Sequence, residues 1–278
     1  MTKLVKFSEL EPLGCESKWF QVYSVLPGIT AIFEPFHFQE VISYLIEGSE
    51  KAMLFDSGMD VGNIKAVVDR LTDKPVIVCN SHSHFDHTGG NYLFGETHLL
   101  NIPECVKKLE EGYYMPMDSS NRLDSSLHFE GKLWFDLKDP ELFHVKPSKV
   151  HPVEEGFVFD LGNRKLRVIA TPGHSKDGLM LADDENKLLF TGDTVYPAPI
   201  YAFMEGPDMV PVYAATAKRL AEEFSTYTLC CAHNNPVWDG QALVEISQGF
   251  EGILAGTLTG RPDGVHTSYD FENFSILV

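Results

Sequence analysis

Four side chains able to hold a metal, His82, His84, Asp86 and His87, crowd into one short stretch of the chain. That stretch, residues 76–91, reads Val-Ile-Val-Cys-Asn-Ser-His-Ser-His-Phe-Asp-His-Thr-Gly-Gly-Asn. In an extended segment side chains alternate, so His82 and His84 point the same way and can grip one ion. Asp86 and His87 follow where the chain bends, and they face a neighbouring position. Gly89 and Gly90 permit a tight backbone turn, after which a helix can start behind the ligands. Imidazole nitrogens combined with a carboxylate oxygen suit a borderline cation such as zinc. Packing alone gains nothing from this spacing.

Positioning such a cluster takes a strand that delivers it and neighbours that hold it. The apolar run Val76 to Val78 predicts the strand. Before it, Lys51-Ala-Met-Leu-Phe-Asp-Ser-Gly58 reads as a buried strand ending in an acid and a glycine, and Asp56 reads as a group that orients a ligand. Between the two strands, Ile64, Val67, Val68 and Leu71 fall on one helical face, with Asp60 as the expected cap and Pro75 closing the segment. This alternation is the pattern of a layered α/β protein. Lys187-Leu-Leu-Phe-Thr-Gly-Asp193 repeats the outline of residues 51–58, which suggests two related halves.

Further strands are expected over 20–26, 29–33 and 41–47. The last two form a hairpin whose tip, Glu34-Pro-Phe-His-Phe-Gln39, is aromatic enough to be either a plug on the core or a flap over a substrate. His37 is the residue to watch there, though not as a ligand. A short helix follows Pro103. From 111 to 152 neither period survives, and aromatic and thioether clusters at Tyr113 to Met117 and Leu133 to Phe135 replace it. A long stretch without regular structure is functional or disordered, and its aromatic content argues against disorder. It reads as an insertion that covers a pocket or buries a contact in a homodimer. Its histidines, His128, His144 and His151, read as ordinary residues. Paired strands around Leu161 to Asn163 lead to Thr171-Pro-Gly-His174. Amphipathic helices are expected along Tyr213–Phe224 and Leu243–Leu254, and a pair of terminal strands at 265–269 and 274–278.

Composition narrows the function. With 278 residues and 44% hydrophobic content, a sizeable core is available, and a single domain over 1–278 is expected. A formal charge of -18 makes nucleic acid a poor partner, since binding it requires Lys and Arg to neutralise phosphates. No apolar run approaches a membrane span, and Met1-Thr-Lys-Leu-Val-Lys lacks the core of a signal peptide. Five cysteines without paired spacing point to a reducing, cytoplasmic setting.

His82-Ser-His84-Phe-Asp86-His87 resembles the His-x-His-x-Asp-His signature of the metallo-β-lactamase superfamily, and Gly173-His174-Ser175 resembles that family's Gly-His-Ser/Thr element. The resemblance implies a four-layer αβ/βα sandwich holding two divalent metal ions. It assigns His82, His84 and His174 to one ion, Asp86, His87 and His233 to the other, and Asp193 as the carboxylate between them. Zinc is the expected metal, with Mn2+, Co2+ and Fe2+ as alternatives; iron-dependent electron-transfer members usually carry an acid where His84 stands. Two cations about 3.5–4 Å apart can share a hydroxide that is ready at neutral pH, and they polarise the oxygen on which charge develops. Ser81 and Ser83 have no evident base and read as backbone filler.

The resemblance also gives Asp86 a second role, carrying a proton to the leaving group. Tyr196, three residues after Asp193, is similar in placement to a tyrosine of N-acyl homoserine lactonases that donates to the substrate carbonyl. It reads equally well as a core tyrosine beside the Pro197–Met204 tract, which would line a substrate wall. A lactone or carboxylic ester is therefore the first expectation for the substrate. A thioester, as in glyoxalase II, is the alternative, although no Lys/Arg pocket for glutathione stands out; a small-molecule phosphodiester comes behind it.

Overall fold

The computed structural model describes residues 3–14, 17–37, 39–114 and 144–278. Most of the insertion expected at 111–152, including Trp134 and its neighbours and His128, lies outside the described residues. The chain divides into two compact units. The N-terminal unit comprises Leu10–Val153 with Asp160–Arg164, and the C-terminal unit comprises Met1–Glu9, Glu154–Phe159 and Lys165–Val278. Each contains one of the two strand-to-acid segments that echo each other in the sequence.

The N-terminal unit is built on one mixed sheet. Its neighbours run, in order, Lys149–Val153, Glu96–Leu100, Val76–Cys79, Ala52–Phe55, Ile42–Glu47, Ile29–Phe33, Gln21–Leu26 and Glu11–Pro12. The first four are parallel to one another and the rest antiparallel. The hairpin pairs Ile29 with Ile46 and Phe33 with Ile42, as its alternation predicts. Parallel neighbours require a crossover, and helix Ile64–Leu71 provides it between Ala52–Phe55 and Val76–Cys79, burying Ile64, Val67 and Val68. Its cap is Asn63, whose Oδ1 accepts from the Ala66 amide at 3.0 Å, and not Asp60. Asp60 sits too far back and is in the left-handed region, with φ +61°; it accepts instead from Tyr92 and Lys146. The core beneath this sheet includes Trp19, Ile32, Leu45, Leu54, Val68 and Leu99.

The hairpin tip is a plug on that core. Phe36 packs on Trp19, and His37 is buried, accepting from the Gln39 amide through Nδ1. The residue that anchors the tip is Glu34, which no pattern in the sequence singles out. Its carboxylate is buried and accepts from the Trp19 indole N–H and the Met59 amide. Gly58 makes room for it: at φ +70° a Cβ there would lie 2.1 Å from Glu34 Oε1.

The sheet of the C-terminal unit runs Leu4–Val5, Val237–Asp239, Thr228–Cys230, Leu188–Phe190, Leu179–Asp183, Lys165–Ala170 and Val158–Asp160. Helices Met209–Phe224 and Ala242–Leu254 pack on it through Tyr213, Leu220, Phe224, Leu243, Ile246 and Phe250. A smaller sheet joins Pro199–Tyr201 to Ser275–Leu277, His266–Asp270 and Arg261–Asp263, so the expected terminal strands are present and have two further partners. No helix among the described residues is long and apolar enough to cross a membrane.

Burial pushes the Glu34 carboxyl up to about 7; its two hydrogen bonds oppose the shift, and the charges of Asp86 and Asp60 add to it. A carboxyl raised above its unfolded value contributes stability that is complete below the unfolded pKa and disappears as pH rises through the folded one. Glu34→Gln, which cannot ionise, should therefore remove a loss of stability between about pH 5 and 8 worth at most roughly 3 kcal/mol. Denaturant melts of chelator-treated wild type and variant check this. Parallel pH profiles for the two proteins would refute it.

Candidate metal centre

In the N-terminal unit the parallel register pairs Phe55 with Cys79, so Asp56 emerges beside the start of the ligand loop. Asp56 is fully buried, and its φ of +65° is rare for a residue with a side chain. Its Oδ1 accepts from the Ser81 amide at 2.7 Å, and its Oδ2 accepts from the Ser81 hydroxyl at 2.9 Å. The same Oδ2 lies 2.9 Å from His87 Nδ1. A neutral imidazole donating through Nδ1 turns Nε2 outward as the ligand atom. Asp56 thus does what its place after a strand suggests.

Ser81 is more than filler. Its hydroxyl, held by Asp56, is 3.0 Å from His82 Nδ1, so one carboxylate orients two histidines. The Ser83 carbonyl accepts from the Tyr113 hydroxyl at 2.7 Å, which fixes the backbone between His82 and His84. Asn80 donates to the His87 carbonyl at 2.8 Å and is itself held by Asn91. These partners lie up to tens of residues apart, and only the register of the strands brings them together.

The ligand side chains of this unit converge. The His82 and His84 rings meet edge to face at 4.4 Å, and the His82 and His87 rings lie 4.4 Å apart. Asp86 Oδ2 is 3.5 Å from His87 Nε2, both on the one-turn helix Phe85–Thr88. His82, Asp86 and His87 are buried, and His84 is half-buried.

The C-terminal unit carries the other three residues, each in a turn after a strand. Lys165–Ala170 leads to His174, Leu188–Phe190 to Asp193, and Thr228–Cys230 to His233. Asp193 divides its carboxylate between the histidines: Oδ1 lies 2.8 Å from His233 Nε2 and Oδ2 lies 3.5 Å from His174 Nε2. Helix Met209–Phe224 sets two of these turns. Tyr213 donates to the Thr194 carbonyl at 2.7 Å, and Thr216 donates to the Pro172 carbonyl at 2.7 Å. Gly173 lets the helix come this close, since a Cβ there would be 2.4 Å from the Tyr213 ring. Burial, and then the charge of Asp193, hold the Tyr213 phenol well above its ordinary pKa, so it stays a donor.

Tyr196 is buried, and its ring lies 5.1 Å from that of His233. Its hydroxyl donates to the Pro199 carbonyl at 2.6 Å. A phenol has one proton to donate, and this one is committed to the chain. The remaining histidines of the insertion's edges lie elsewhere: His144 stacks on Tyr114 at 4.0 Å, and His151 pairs with Glu96 at 3.1 Å.

Each unit therefore presents buried imidazole nitrogens and carboxylate oxygens close together, the donors that zinc and related first-row ions take. The residues fit a metal. The sequence profile of the Metallo-beta-lactamase superfamily matches residues 40–233, a span that includes all seven. The chain belongs to this superfamily.

Among its relatives, the acyl-coenzyme A thioesterase MBLAC2 of Bos taurus is 26% identical over 234 residues, covering 74% of this chain and 76% of that protein. The hydroxyacylglutathione hydrolase of Mesorhizobium japonicum is 26% identical over 172 residues, covering 61% and 52%. The fold is the α/β metallo-β-lactamase fold. A metallo-beta-lactamase family protein from Thermus thermophilus superposes with a TM-score of 0.59 at 19% identity, covering 84% of this chain and 83% of that one. A beta-lactamase domain protein from Burkholderia ambifaria gives 0.61 at 18%, covering 90% and 84%.

Asp56→Asn keeps the shape and tolerates the left-handed backbone, but it removes the charge that fixes His87. Metal affinity should fall roughly 10–100-fold, read by competition with a chromophoric chelator. Unchanged affinity would mean that Asp56 only fills space.

Proposed function

We propose that this superfamily hydrolase cleaves acyl thioesters, and that its two units act as one domain around two divalent ions. His82, His84 and His174 would hold one ion and Asp86, His87 and His233 the other, with Asp193 shared. The observation that carries the hydrolytic reading is Asp193 itself, whose two oxygens are already turned toward two separate imidazoles. Zinc suits this imidazole-rich set, and the unpatterned cysteines support a reducing, cytoplasmic compartment.

Two arguments move the substrate from a lactone to a thioester. The reason for preferring lactones is a hydrogen bond from Tyr196 to the substrate carbonyl, and that proton is held by Pro199. Relatives at about a quarter identity over most of the chain are named as thioesterases. A thiol has a pKa of about 8.5 and leaves as thiolate with little help, whereas an alcohol needs a proton as it departs.

When bound, the divalent ions supply activated water and stabilise charge on the acyl oxygen. The chain's own residues do the rest. Asp56 and Ser81 hold His87 and His82 in their orientations. Tyr213 and Thr216 fix the turns of Asp193 and His174. The water oxygen bonds to the acyl carbon, the carbon–sulfur bond breaks with its electron pair on sulfur, and the water's proton reaches that sulfur by way of Asp86.

A panel of acyl thioesters, lactones, aryl esters and bis-phosphoesters tests the reading on zinc-loaded protein. Thioesters should exceed lactones in kcat/KM by at least about tenfold, chelation should abolish turnover, and zinc should restore it. Tyr196→Phe should leave the thioester rate within about threefold while costing about 1 kcal/mol of stability. A lactone as the best substrate, slowed tenfold or more by Tyr196→Phe, would reverse the assignment.

A further inference from the structure

Beyond Asp193 the chain builds a surface that the metal chemistry does not use. Pro199–Tyr201 pairs in parallel with Ser275–Leu277, and the pairing runs on through the Ala202 amide to the Leu277 carbonyl at 2.9 Å. Side chains alternate across such a strand. Ile200 and Ala202 point into the core and are fully buried, while Tyr201 and Phe203 lie on the other face and stay partly open. The Tyr201 and Phe203 rings meet edge to face at 5.6 Å, and Phe203 stacks on His266 at 3.6 Å with the planes 17° apart. Met204, in the turn that follows, is 48% exposed.

The strip begins beside the ligand turns: Tyr196, whose ring lies 5.1 Å from that of His233, donates to the carbonyl of Pro199, the first residue of this strand. Burial raises the Tyr201 phenol above its ordinary pKa, and the charges of Asp193 and Asp263 raise it further. Asp263 stands opposite His266 in the neighbouring strand pair. Tyr201 and Phe203, on the stretch that leaves this turn, thus form one aromatic strip with His266.

Charge decides which part of a thioester it suits. The cations nearby are engaged: Arg261 holds Asp270 at 3.0 Å and reaches Asp263 at 3.9 Å, and Lys176 holds Glu205 at 3.4 Å. A phosphorylated thiol carrier would find acids along this strip, whereas an uncharged hydrocarbon loses nothing to them and gains contact with rings. We propose that Tyr201, Phe203 and His266 form the track for the acyl chain, and that the preferred substrates carry an unbranched, uncharged acyl group several carbons long. This deepens the thioesterase reading and rests on it for the reaction, though not for the binding.

Each methylene taken fully out of water is worth roughly fourfold, so a partly open track should give about twofold per methylene. The test measures kcat/KM for acetyl to decanoyl thioesters, each on both coenzyme A and N-acetylcysteamine, together with calorimetric binding of the product decanoate. Zinc-loaded wild type, Phe203→Ala and Phe203→Leu are compared. Wild type should climb with chain length on both thiols. Phe203→Ala should lose about tenfold on decanoyl thioesters, through KM, and about tenfold in decanoate affinity, with acetyl thioesters changed less than twofold. Phe203→Leu should recover most of the loss. A wild-type rate indifferent to chain length, or equal losses on acetyl and decanoyl substrates, would overturn the track. Failure of every thioester to turn over, with decanoate binding still dependent on Phe203, would overturn the thioesterase reading and leave the track standing.

Discussion

Asp56 has no water to turn to, and the ligand loop of the N-terminal unit is shaped by that fact. A buried carboxylate left unpaired costs several kcal/mol, on the scale of a domain's whole stability. This one is satisfied by the Ser81 amide, the Ser81 hydroxyl and His87 Nδ1. Because those groups flank the metal ligands, satisfying Asp56 and aiming His82 and His87 are a single event. The left-handed backbone of Asp56 is tolerated because the surrounding contacts over-determine it. Asp193 repeats the arrangement in the other unit: a strand ends, the chain turns, and a carboxylate is divided between imidazoles. The two echoing segments are alike in outline but different in duty, one acid steering ligands and the other placed to be one.

The ligand cluster could be read from the letters because its members lie within six positions; alternation along an extended chain aims His82 and His84, and the one-turn helix aims Asp86 and His87. Asp56 could be read because a buried strand that ends in an acid seldom wastes it. Ser81 could not. It is an ordinary residue until the pairing of Phe55 with Cys79 places it against Asp56. Glu34 is hidden in the same way. The aromatic residues around it carry the louder signal, while its own role depends on a tryptophan fifteen positions earlier and an amide twenty-five positions later. For Tyr196 the distance from Asp193 in sequence says nothing of where the hydroxyl points; the local turn sets that, and here it donates to the Pro199 carbonyl. The expected helix cap misses by three residues, since Asp60 and Asn63 are both good caps on paper and only one of them reaches the first turn.

The strongly acidic composition fits the picture drawn from the site. A chain with 40 acidic against 22 basic residues discourages polyphosphates in general. The aromatic face after Asp193 offers binding energy that does not depend on charge. The most selective contacts of such an enzyme would then be apolar ones, with the ions left to act on the carbonyl.

The strand pair at the edges of the insertion has a different kind of consequence. Tyr113 pairs with Val145 and Tyr114 with His144, so two stretches of chain about thirty positions apart meet in one two-rung doorway. Tyr113 bolts that doorway to the Ser83 carbonyl, and Lys146 ties it to Asp60. Closing a longer loop on fixed ends costs only about 0.6 kcal/mol for each doubling of length. A change in chain length between Tyr114 and His144 would therefore cost little at this strand pair.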